Sequence, residues 1–414
     1  MKNPLIFHLL ALFIFGFNFN AQADTEFIYG KVTTFLGDTY EGQIRWGNEE
    51  AFWTDRFNAN KEYNHNIDFL SDKEIIQLKK EKKRLNQQEW RTLDDSYIQN
   101  DKSEYAFLHQ FSCQFGEIKS IKMTRWQKVE LQLRDGSKVT VSGKGTNDIN
   151  TPISIYDKKL GLIEIEWMEI DQVEFLKEPL QFKSAIGDPL YGTVYTTDGA
   201  YTGKIEWNNF VKVTSDKLEG EQKTGNFKAS FSKIRMIQPH RAGSLVTMEN
   251  GERVYVFGTN GVNSKNRGII VTNDEIGNIN VDWSNFERVE FRPKRKNGKG
   301  YSQFKNPKEI TGTVKTKEGK SLKGKIVFDL DEQYDYEVLN GGSGKMFYEI
   351  PFRNIKRISP HSNSNCTVEL KSNKQIQLRD SQDVSFKNEG LLVFQNSTNP
   401  IYVSWREVEE VVFN

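Results

Sequence analysis

The chain has 414 residues with 57 basic and 56 acidic side chains, a balance that argues against a chain-wide nucleic-acid-binding surface. Its two cysteines exclude a disulfide-dense mini-scaffold and a four-cysteine zinc site. The 28 Phe, 15 Tyr and 8 Trp supply bulky core residues, which argues against a mostly disordered chain. The length suggests about two to four domains.

The first 23 residues have the form of a secretory signal peptide. Lys2 precedes an apolar run over residues 5–17, and a small–x–small pattern follows at Ala21–Ala23. The run is shorter than the about 20 residues that span a bilayer. We therefore expect cleavage near Ala23 and export to the periplasm or the extracellular space, with an uncleaved anchor as the alternative. The chain from residue 24 onward is formally neutral.

One signature recurs six times: an aromatic residue, two residues, an aliphatic residue, two residues and a second aliphatic residue. Forms that begin with Phe and with Trp alternate, at Phe115, Trp167, Phe231, Trp283, Phe352 and Trp405. Each Phe form is followed by a Trp form after 52, 52 and 53 residues. A spacing of three indicates a short 3₁₀ turn that leads into a strand. We expect these six aromatic side chains to anchor a repeated core.

Two kinds of β-hairpin precede these signatures. Residues 30–46, 192–207 and 312–328 alternate apolar and polar positions around a Gly-containing turn, upstream of each Phe form. Sibling hairpins over residues 129–141, 246–256 and 368–378 precede the Trp forms. Two of the siblings carry Asp-Gly or Asn-Gly, which suit turns with positive φ, whereas Asn373-Lys374 stands in the third. A second Gly in each hairpin of the first kind predicts a strand bend or bulge.

The resulting units of about 50–60 residues resemble the SH3-like and Sm-like small β-barrels. The Gly199…Gly203 hairpin and the closing segment Phe231–Ile237 carry this resemblance. It implies an all-β fold of six tandem small antiparallel barrels, paired as three double-barrel modules over residues 24–179, 187–292 and 308–414. A likeness at this level confers no function. No RNA-binding motif is present to carry over, so we expect no nucleic-acid partner.

The first module contains an insertion of about 45 residues, because 85 residues separate Gly30 from Phe115 where the equivalent distances are 39 and 40. We place this insertion near residues 66–108. Ser71 and Glu74 form a capping box, which predicts a helix near residues 72–90. Insertions in repeat proteins often lie on the binding face. The alternative, which we favour, is a solvated helix packed on the barrel through Ile75, Leu78 and Leu85.

The sequence contains no recognisable catalytic, cofactor-binding or metal-binding motif. His65, His109, His240 and His361 lack metal-ligand spacing, and no nucleophile elbow, phosphate-binding loop or dinucleotide fingerprint occurs. Cys113 and Cys366 are expected to be buried or isolated thiols, although export would permit their oxidation. A pair of carboxylates for glycoside hydrolysis leaves no signature in sequence spacing. A hydrolase that acts on carbohydrate or peptidoglycan is therefore the alternative function.

The joint between the second and third modules, residues 292–308, is basic and contains no acidic residue. One interpretation is contact with an anionic membrane surface or with polysaccharide, through Arg292, Lys294, Arg295, Lys296 and Lys299. A solvated flexible linker is the alternative, and we favour it.

The sequence as a whole predicts an exported, non-catalytic binding or scaffold protein of the bacterial cell envelope. Its partner would be an envelope protein or a polysaccharide, and a structural component that oligomerises through exposed sheet edges is a third hypothesis.

Overall fold

A computed structural model describes residues 25–47, 49–89, 110–125, 127–143, 148–179, 186–293, 298–362, 364–396 and 398–414. The predicted signal peptide lies outside these residues. Within them, antiparallel β-sheet dominates, accompanied by one α-helix, α1 (Asp72–Glu89), and by short 3₁₀ turns. None of the described helices is long and apolar enough to span a bilayer. The all-β fold class expected from the sequence is therefore confirmed.

The described strands fall into three repeats of ten. Repeat 1 comprises β1 Tyr29–Thr34, β2 Thr39–Trp46, β3 Arg56–Lys61, β4 Gln110–Gln114, β5 Ile118–Arg125, β6 Lys128–Leu133, β7 Lys138–Ser142, β8 Ile153–Asp157, β9 Gly161–Ile165 and β10 Ile170–Phe175. Repeat 2 comprises β11 Tyr191–Thr196, β12 Gly199–Trp207, β13 Lys217–Gln222, β14 Gly225–Ser230, β15 Ile234–His240, β16 Gly243–Met248, β17 Arg253–Val256, β18 Ile269–Asn273, β19 Gly277–Val281 and β20 Phe286–Phe291. Repeat 3 comprises β21 Thr311–Thr316, β22 Ser321–Val327, β23 Val338–Ser343, β24 Met346–Pro351, β25 Ile355–Pro360, β26 Asn365–Leu370, β27 Gln375–Arg379, β28 Leu391–Phe394, β29 Ile401–Val403 and β30 Val408–Phe413.

Corresponding strands pair in the same order in repeats 1 and 3, and in the same order apart from one hairpin in repeat 2. The order in repeat 1 is β4-β3-β7-β6-β5-β10-β1-β2-β8-β9, and repeat 3 follows it strand for strand. Repeat 2 differs in one respect, since its β13–β14 hairpin forms a separate two-stranded sheet. Strand β19 of repeat 2 pairs with β24 of repeat 3, which joins these two repeats into one 18-stranded sheet.

The strand pairing differs from the sequence prediction, which grouped each hairpin with the closing strand that follows it. The hairpin upstream of each Phe form does not pair with the strand that follows the Phe turn. Strand β1 pairs instead with β10, which follows the Trp turn, while β6 of the sibling hairpin pairs with β5. The unit that contains the Phe turn is thus inserted within the unit that contains the Trp turn, between β2 and β8.

The expectation of six closed barrels is wrong, because the sheets are open. In each repeat the two closing strands pair with each other, as β5 does with β10 through Ile121 and Val173. Each closing strand therefore has the other closing strand as its neighbour, on the edge through which it would have to pair to close its own unit into a barrel. Strands β4 and β9 are consequently left at the two ends of the repeat 1 sheet.

The predicted 3₁₀ turns occur at all six signatures. They span Phe115–Glu117, Trp167–Glu169, Phe231–Lys233, Trp283–Asn285, Phe352–Asn354 and Trp405–Glu407. A strand begins directly after each turn, with the first aliphatic residue of the signature in most copies and with Phe286 in one. Five of the six leading aromatic side chains are buried, and Trp283 is half-buried against the same core. These side chains therefore lie in or against the hydrophobic clusters of their repeats.

Paired glycines occupy a close backbone crossing in the first hairpin of each repeat. They lie opposite one another as Gly30 and Gly42, Gly192 and Gly203, and Gly312 and Gly324. A Cβ atom placed on Gly42 would lie 2.0 Å from the carbonyl oxygen of Tyr156, and one on Gly324 would lie 2.0 Å from that of Phe394. Only glycine allows the neighbouring strand to approach this closely.

Helix α1 confirms the predicted capping box but packs on a different repeat from the one that contains it. The Ser71 backbone N–H donates to the Glu74 carboxylate at 2.7 Å. The helix packs against the outside of repeat 3, where a small apolar cluster consists of Leu70, Leu78, Val327, Leu330 and Leu392, with Ile75 half-buried beside it. The side chain of Leu85 and residues 90–109 lie outside the described part of the chain.

Repeats 1 and 2 meet around a buried lysine. The Lys212 ammonium lies 3.1 Å from Glu206, 3.2 Å from Asp55 and 3.9 Å from Glu50. Burial raises the pKa of both glutamates, and attraction to Lys212 opposes that shift. The lysine therefore compensates a group of carboxylates that the junction would otherwise leave buried and unpaired.

Repeat 1 also contacts repeat 3 and the joint. Lys61 binds Asp331 at 2.5 Å. The joint passes across repeat 1, where the ring of Tyr301 stacks on Trp53 at 4.4 Å and the Arg134 guanidinium lies 3.8 Å from the centre of the same ring. The expectation of a solvated flexible linker is wrong for this part of the joint, because its aromatic residues belong to the core of repeat 1.

Candidate functional site

A groove of about 870 Å³ opens where repeat 1, repeat 2 and the joint meet. We call it the basic groove. Its walls come mainly from β12, from the turn between β18 and β19, and from residues 292–293 and 298–303 of the joint. They consist of Thr54, Tyr191, Thr202, Gly203, Lys204, Thr272, Asn273, Asp274, Glu275, Arg292, Pro293, Gly298, Lys299 and Gln303. Two of the five cations that the sequence predicted as anion contacts, Arg292 and Lys299, are therefore brought to one concave surface.

Arg292 follows the last strand of repeat 2 and is held by hydroxyl groups. Its backbone N–H donates to the Tyr191 carbonyl at 2.9 Å, which continues the β11–β20 pairing. Its guanidinium donates to the hydroxyls of Thr193 and, at 3.3 Å, Thr202. No described carboxylate pairs with Arg292. An exposed guanidinium positioned in this way has donors available for an anion.

Lys299 is half-buried at the opposite side of the joint. Its ammonium lies 3.5 Å from the centre of the Phe304 ring, and no carboxylate of the described residues pairs with it. Burial lowers the pKa of Lys299 to about 8, and repulsion from Arg353 adds to that shift. Attraction to Glu117 and Asp335 opposes this shift only in part, so an anion bound beside the amine would further favour its protonated form.

Lys204 is the third cation of the groove, and the sequence analysis did not identify it. It donates to the hydroxyl of Thr54 in repeat 1 and lies 4.6 Å from the centre of the Phe52 ring. The turn after β18 carries Asp274 and Glu275, and we call it the acidic wall of the groove. The groove thus offers both cations and carboxylates, an arrangement suited to a ligand that carries both acidic groups and hydroxyls.

The remaining predicted contacts, Lys294, Arg295 and Lys296, lie outside the described residues. The signal that would have identified Lys204 is its position directly after Gly203, at the glycine crossing. In repeat 2 this residue contacts Thr54 of repeat 1, whereas Gln43 and Lys325, at the same place in the other repeats, contact Glu178 and Glu309 of their own modules. The sequence shows the crossing but not which neighbouring repeat it faces.

The carboxyl groups with raised pKa values do not form an open catalytic cleft in the described chain. Glu332 and Glu337 line a crevice of about 50 Å³ between repeats 1 and 3, which has room for one or two water molecules and not for a sugar ring. Burial raises the pKa of both. Glu337 accepts the backbone N–H of Tyr334 at 2.8 Å and lies 3.5 Å from Lys61, so it has a structural role.

Replacing Glu332 with Gln is expected to stabilise the protein at neutral pH by about 1–3 kcal/mol. One carboxylate oxygen of Glu332 is buried without a hydrogen-bond partner, and the pKa of this group is raised above its ordinary 4.5 by burial and then by nearby Asp383. A raised pKa in the folded state means that wild-type stability falls as pH rises from about 4.5. The gain should therefore vanish near pH 4.5 in denaturant titrations. The exposed substitution Glu318→Gln is the control, and an equal gain at both pH values would contradict this account.

The described histidines and cysteines do not assemble into a metal site. Among the described residues, no three His, Cys, Asp or Glu side chains are placed to hold a metal ion. Cys113 and Cys366 are both free and buried, and burial raises the pKa of the Cys366 thiol to about 12. A thiol with so high a pKa is a poor nucleophile at neutral pH.

Comparison of the chain with protein-family models, with curated proteins and with solved structures gives no match.

Proposed function

We propose that the protein is an exported, non-catalytic binding or scaffold protein of the bacterial cell envelope, and that the basic groove binds an acidic polysaccharide. The observation that carries this proposal is the convergence of Arg292 and Lys299 on one groove without a described carboxylate partner for either. Cations left without counter-charges in a concave surface attract anionic ligands.

The shape of the basic groove favours a polysaccharide over a membrane surface. A groove of about 870 Å³ can enclose a few sugar residues, whereas a flat layer of lipid head groups would meet only its rim. The acidic wall at Asp274 and Glu275 can accept hydrogen bonds from sugar hydroxyls. A polyuronate such as alginate combines carboxylates for the cations with hydroxyls for the acidic wall.

The test is calorimetric titration of the chain from residue 24 onward with alginate oligosaccharides. The double variant Arg292→Gln, Lys299→Gln should bind at least tenfold more weakly, since each charged hydrogen bond contributes about 1.5–3 kcal/mol. Wild-type affinity should also fall between pH 7 and pH 9, because Lys299 has a pKa of about 8 and binds an anion only when protonated.

The matched control removes two exposed cations of repeat 2 that lie outside the groove, in the variant Arg235→Gln, Lys265→Gln. It should bind like the wild type. Unchanged alginate binding by the groove variant would refute the proposed site. Binding to phosphatidylglycerol vesicles that equals or exceeds alginate binding, and that the groove variant loses, would refute the polysaccharide in favour of a lipid surface.

The resemblance to SH3-like and Sm-like barrels is retained here as a proposal about ancestry of the units. Its support is the five-stranded order β10-β1-β2-β8-β9, in which a 3₁₀ turn precedes the closing strand β10. Each half-repeat would then be an opened relative of a small barrel.

A further inference from the structure

One end of repeat 2 is covered by repeat 3. Strand β19 pairs along its outer edge with β24, from Asn278 opposite Glu349 to Val281 opposite Met346. Ile276, in the turn before β19, is 2% exposed because repeat 3 covers it. Repeats 2 and 3 therefore join because a strand from one hairpin adds to the edge of the neighbouring sheet.

Within the described residues, no strand covers the same end of repeat 1, and this end is far more apolar. Its exposed side chains are Phe35, Leu36, Leu160, Leu162 and Met168, with 63%, 91%, 67%, 60% and 68% of their surface accessible. We call these five residues the apolar end. Most of the positions equivalent to them in repeat 2 are polar, namely Thr197, Asp198, Asn278 and Ser284, and Ile276 replaces Leu160. The apolar end therefore carries more hydrophobic surface than the equivalent end of repeat 2, which is already covered by a neighbouring repeat.

The edge strand of repeat 1 is also unpaired on one side. Within the described chain, β9 pairs with β8 alone, although its counterpart β19 pairs on both sides. A groove of about 990 Å³ borders β9 at Leu162 and Glu164, and residues 217–219 at the start of β13 in the same chain also line it. An exposed, unpaired strand next to several accessible apolar side chains is the usual form of a strand-addition surface.

The chain also contains a free hairpin of the type that would fit. Strands β14 and β24 hold the same place in their repeats, directly before a Phe 3₁₀ turn. β24 is already paired with β19, whereas β14 pairs only with β13 among the described residues and forms a two-stranded sheet of its own.

We propose that the β13–β14 hairpin of a second copy of this chain adds to the edge strand β9 and covers the apolar end, as β24 adds to β19 within one chain. Transferring the β19–β24 register to this pair places Leu162 opposite Lys228 and Ile163 opposite Phe227. The turn before Leu160 carries Lys158 and Lys159, and Lys228 of the hairpin is paired with Glu219 at 2.5 Å, so strand pairing and apolar burial, and not charge, favour this contact. This contact between two copies is independent of the basic groove.

Cross-linking between two single-cysteine variants tests both the partner and the register. Leu162→Cys and Lys228→Cys should form a disulfide when the two proteins are mixed under mild oxidation, because residues directly opposite across antiparallel strands have Cβ atoms about 4.5–5.5 Å apart. The native thiols of Cys113 and Cys366 are buried and should not interfere. Leu162→Cys mixed with Lys265→Cys, an exposed position elsewhere in repeat 2, should give no heterodimer. Efficient cross-linking of Leu162→Cys to itself, without the mixed product, would overturn the proposal, since it would indicate pairing of β9 with β9.

The mass in solution gives a second measurement. Sedimentation velocity should show at least twice the monomer mass as concentration rises, and the variant Leu36→Lys, Leu162→Lys should remain monomeric. Both changes are at exposed positions, so folding should be retained. Ile76→Lys, at an exposed apolar position on α1, is the control and should assemble normally. A wild-type protein that is monomeric at all concentrations, with no mixed cross-link, would refute self-assembly through this edge.

Discussion

Replacing Lys212 with Met is expected to lower the free energy of unfolding by about 3–5 kcal/mol at neutral pH. The ammonium of this lysine is 6% exposed and lies within 3.9 Å of carboxylates from both repeats that meet there. A methionine of similar length would fill the space but would leave Glu50, Asp55 and Glu206 buried together without a counter-charge. Like charges in a buried cluster repel one another strongly.

The dependence of this effect on pH distinguishes lost charge from lost packing. Burial already raises the pKa of Glu50 and Glu206, and loss of the lysine removes the attraction that opposes this rise. Protonation of the carboxyl groups in acid would then relieve the repulsion, so the deficit should shrink as pH falls towards 4.5. Urea titrations at both pH values measure it, with the exposed substitution Lys217→Met as the control. A deficit that is equal at both pH values would indicate a packing defect instead.

Replacing Gly324 with Ala is expected to cost about 3 kcal/mol of stability, the upper part of the range for overpacking. The added methyl group would lie 2.0 Å from the carbonyl oxygen of Phe394 and 2.6 Å from its carbonyl carbon. These are backbone atoms of the paired strand β28, so no side-chain rotation can relieve the contact. Strands β22 and β28 would have to separate, and their ladder hydrogen bonds would weaken.

Gly342→Ala in strand β23 of the same repeat is the matched control. The nearest atom to its added Cβ would be the Arg379 carbonyl oxygen at 3.3 Å, which requires only a small adjustment. Thermal or urea unfolding should therefore show a much larger loss for Gly324→Ala than for Gly342→Ala. Similar losses would show that the glycines are needed for chain flexibility and not for the close crossing.

Local features of the fold could be predicted because they depend on residues close together in sequence. The 3₁₀ turn after Phe231 follows from a spacing of three, and the start of α1 follows from the capping box of Ser71 and Glu74. In the third sibling hairpin Asn373 adopts φ of 67°, so asparagine alone supplies the left-handed turn that Asn-Gly supplies elsewhere. Each of these features is decided within a few residues.

The pairing between hairpins could not be predicted, because both kinds of hairpin have the same alternating pattern. Nothing in that alternation shows that β1 pairs with β10, which lies about 140 residues further along the chain. The basic groove was predicted only in part for the same reason. Arg292 and Lys299 were visible as charges in the joint, whereas Lys204 and the acidic wall come from strands and turns that only the folded chain brings beside them.

The three repeats form a closed circuit of contacts, because repeat 1 touches repeat 2, repeat 2 touches repeat 3, and repeat 3 touches repeat 1. In an open array each repeat contacts only its neighbours, so copies can be gained or lost at modest cost. Here a fourth copy inserted between repeats 2 and 3 would separate strand β19 from β24. It would also move the joint, which contains Tyr301, away from Trp53. The number of repeats is therefore fixed by geometry, and the triple, rather than any single repeat, is the smallest unit expected to fold.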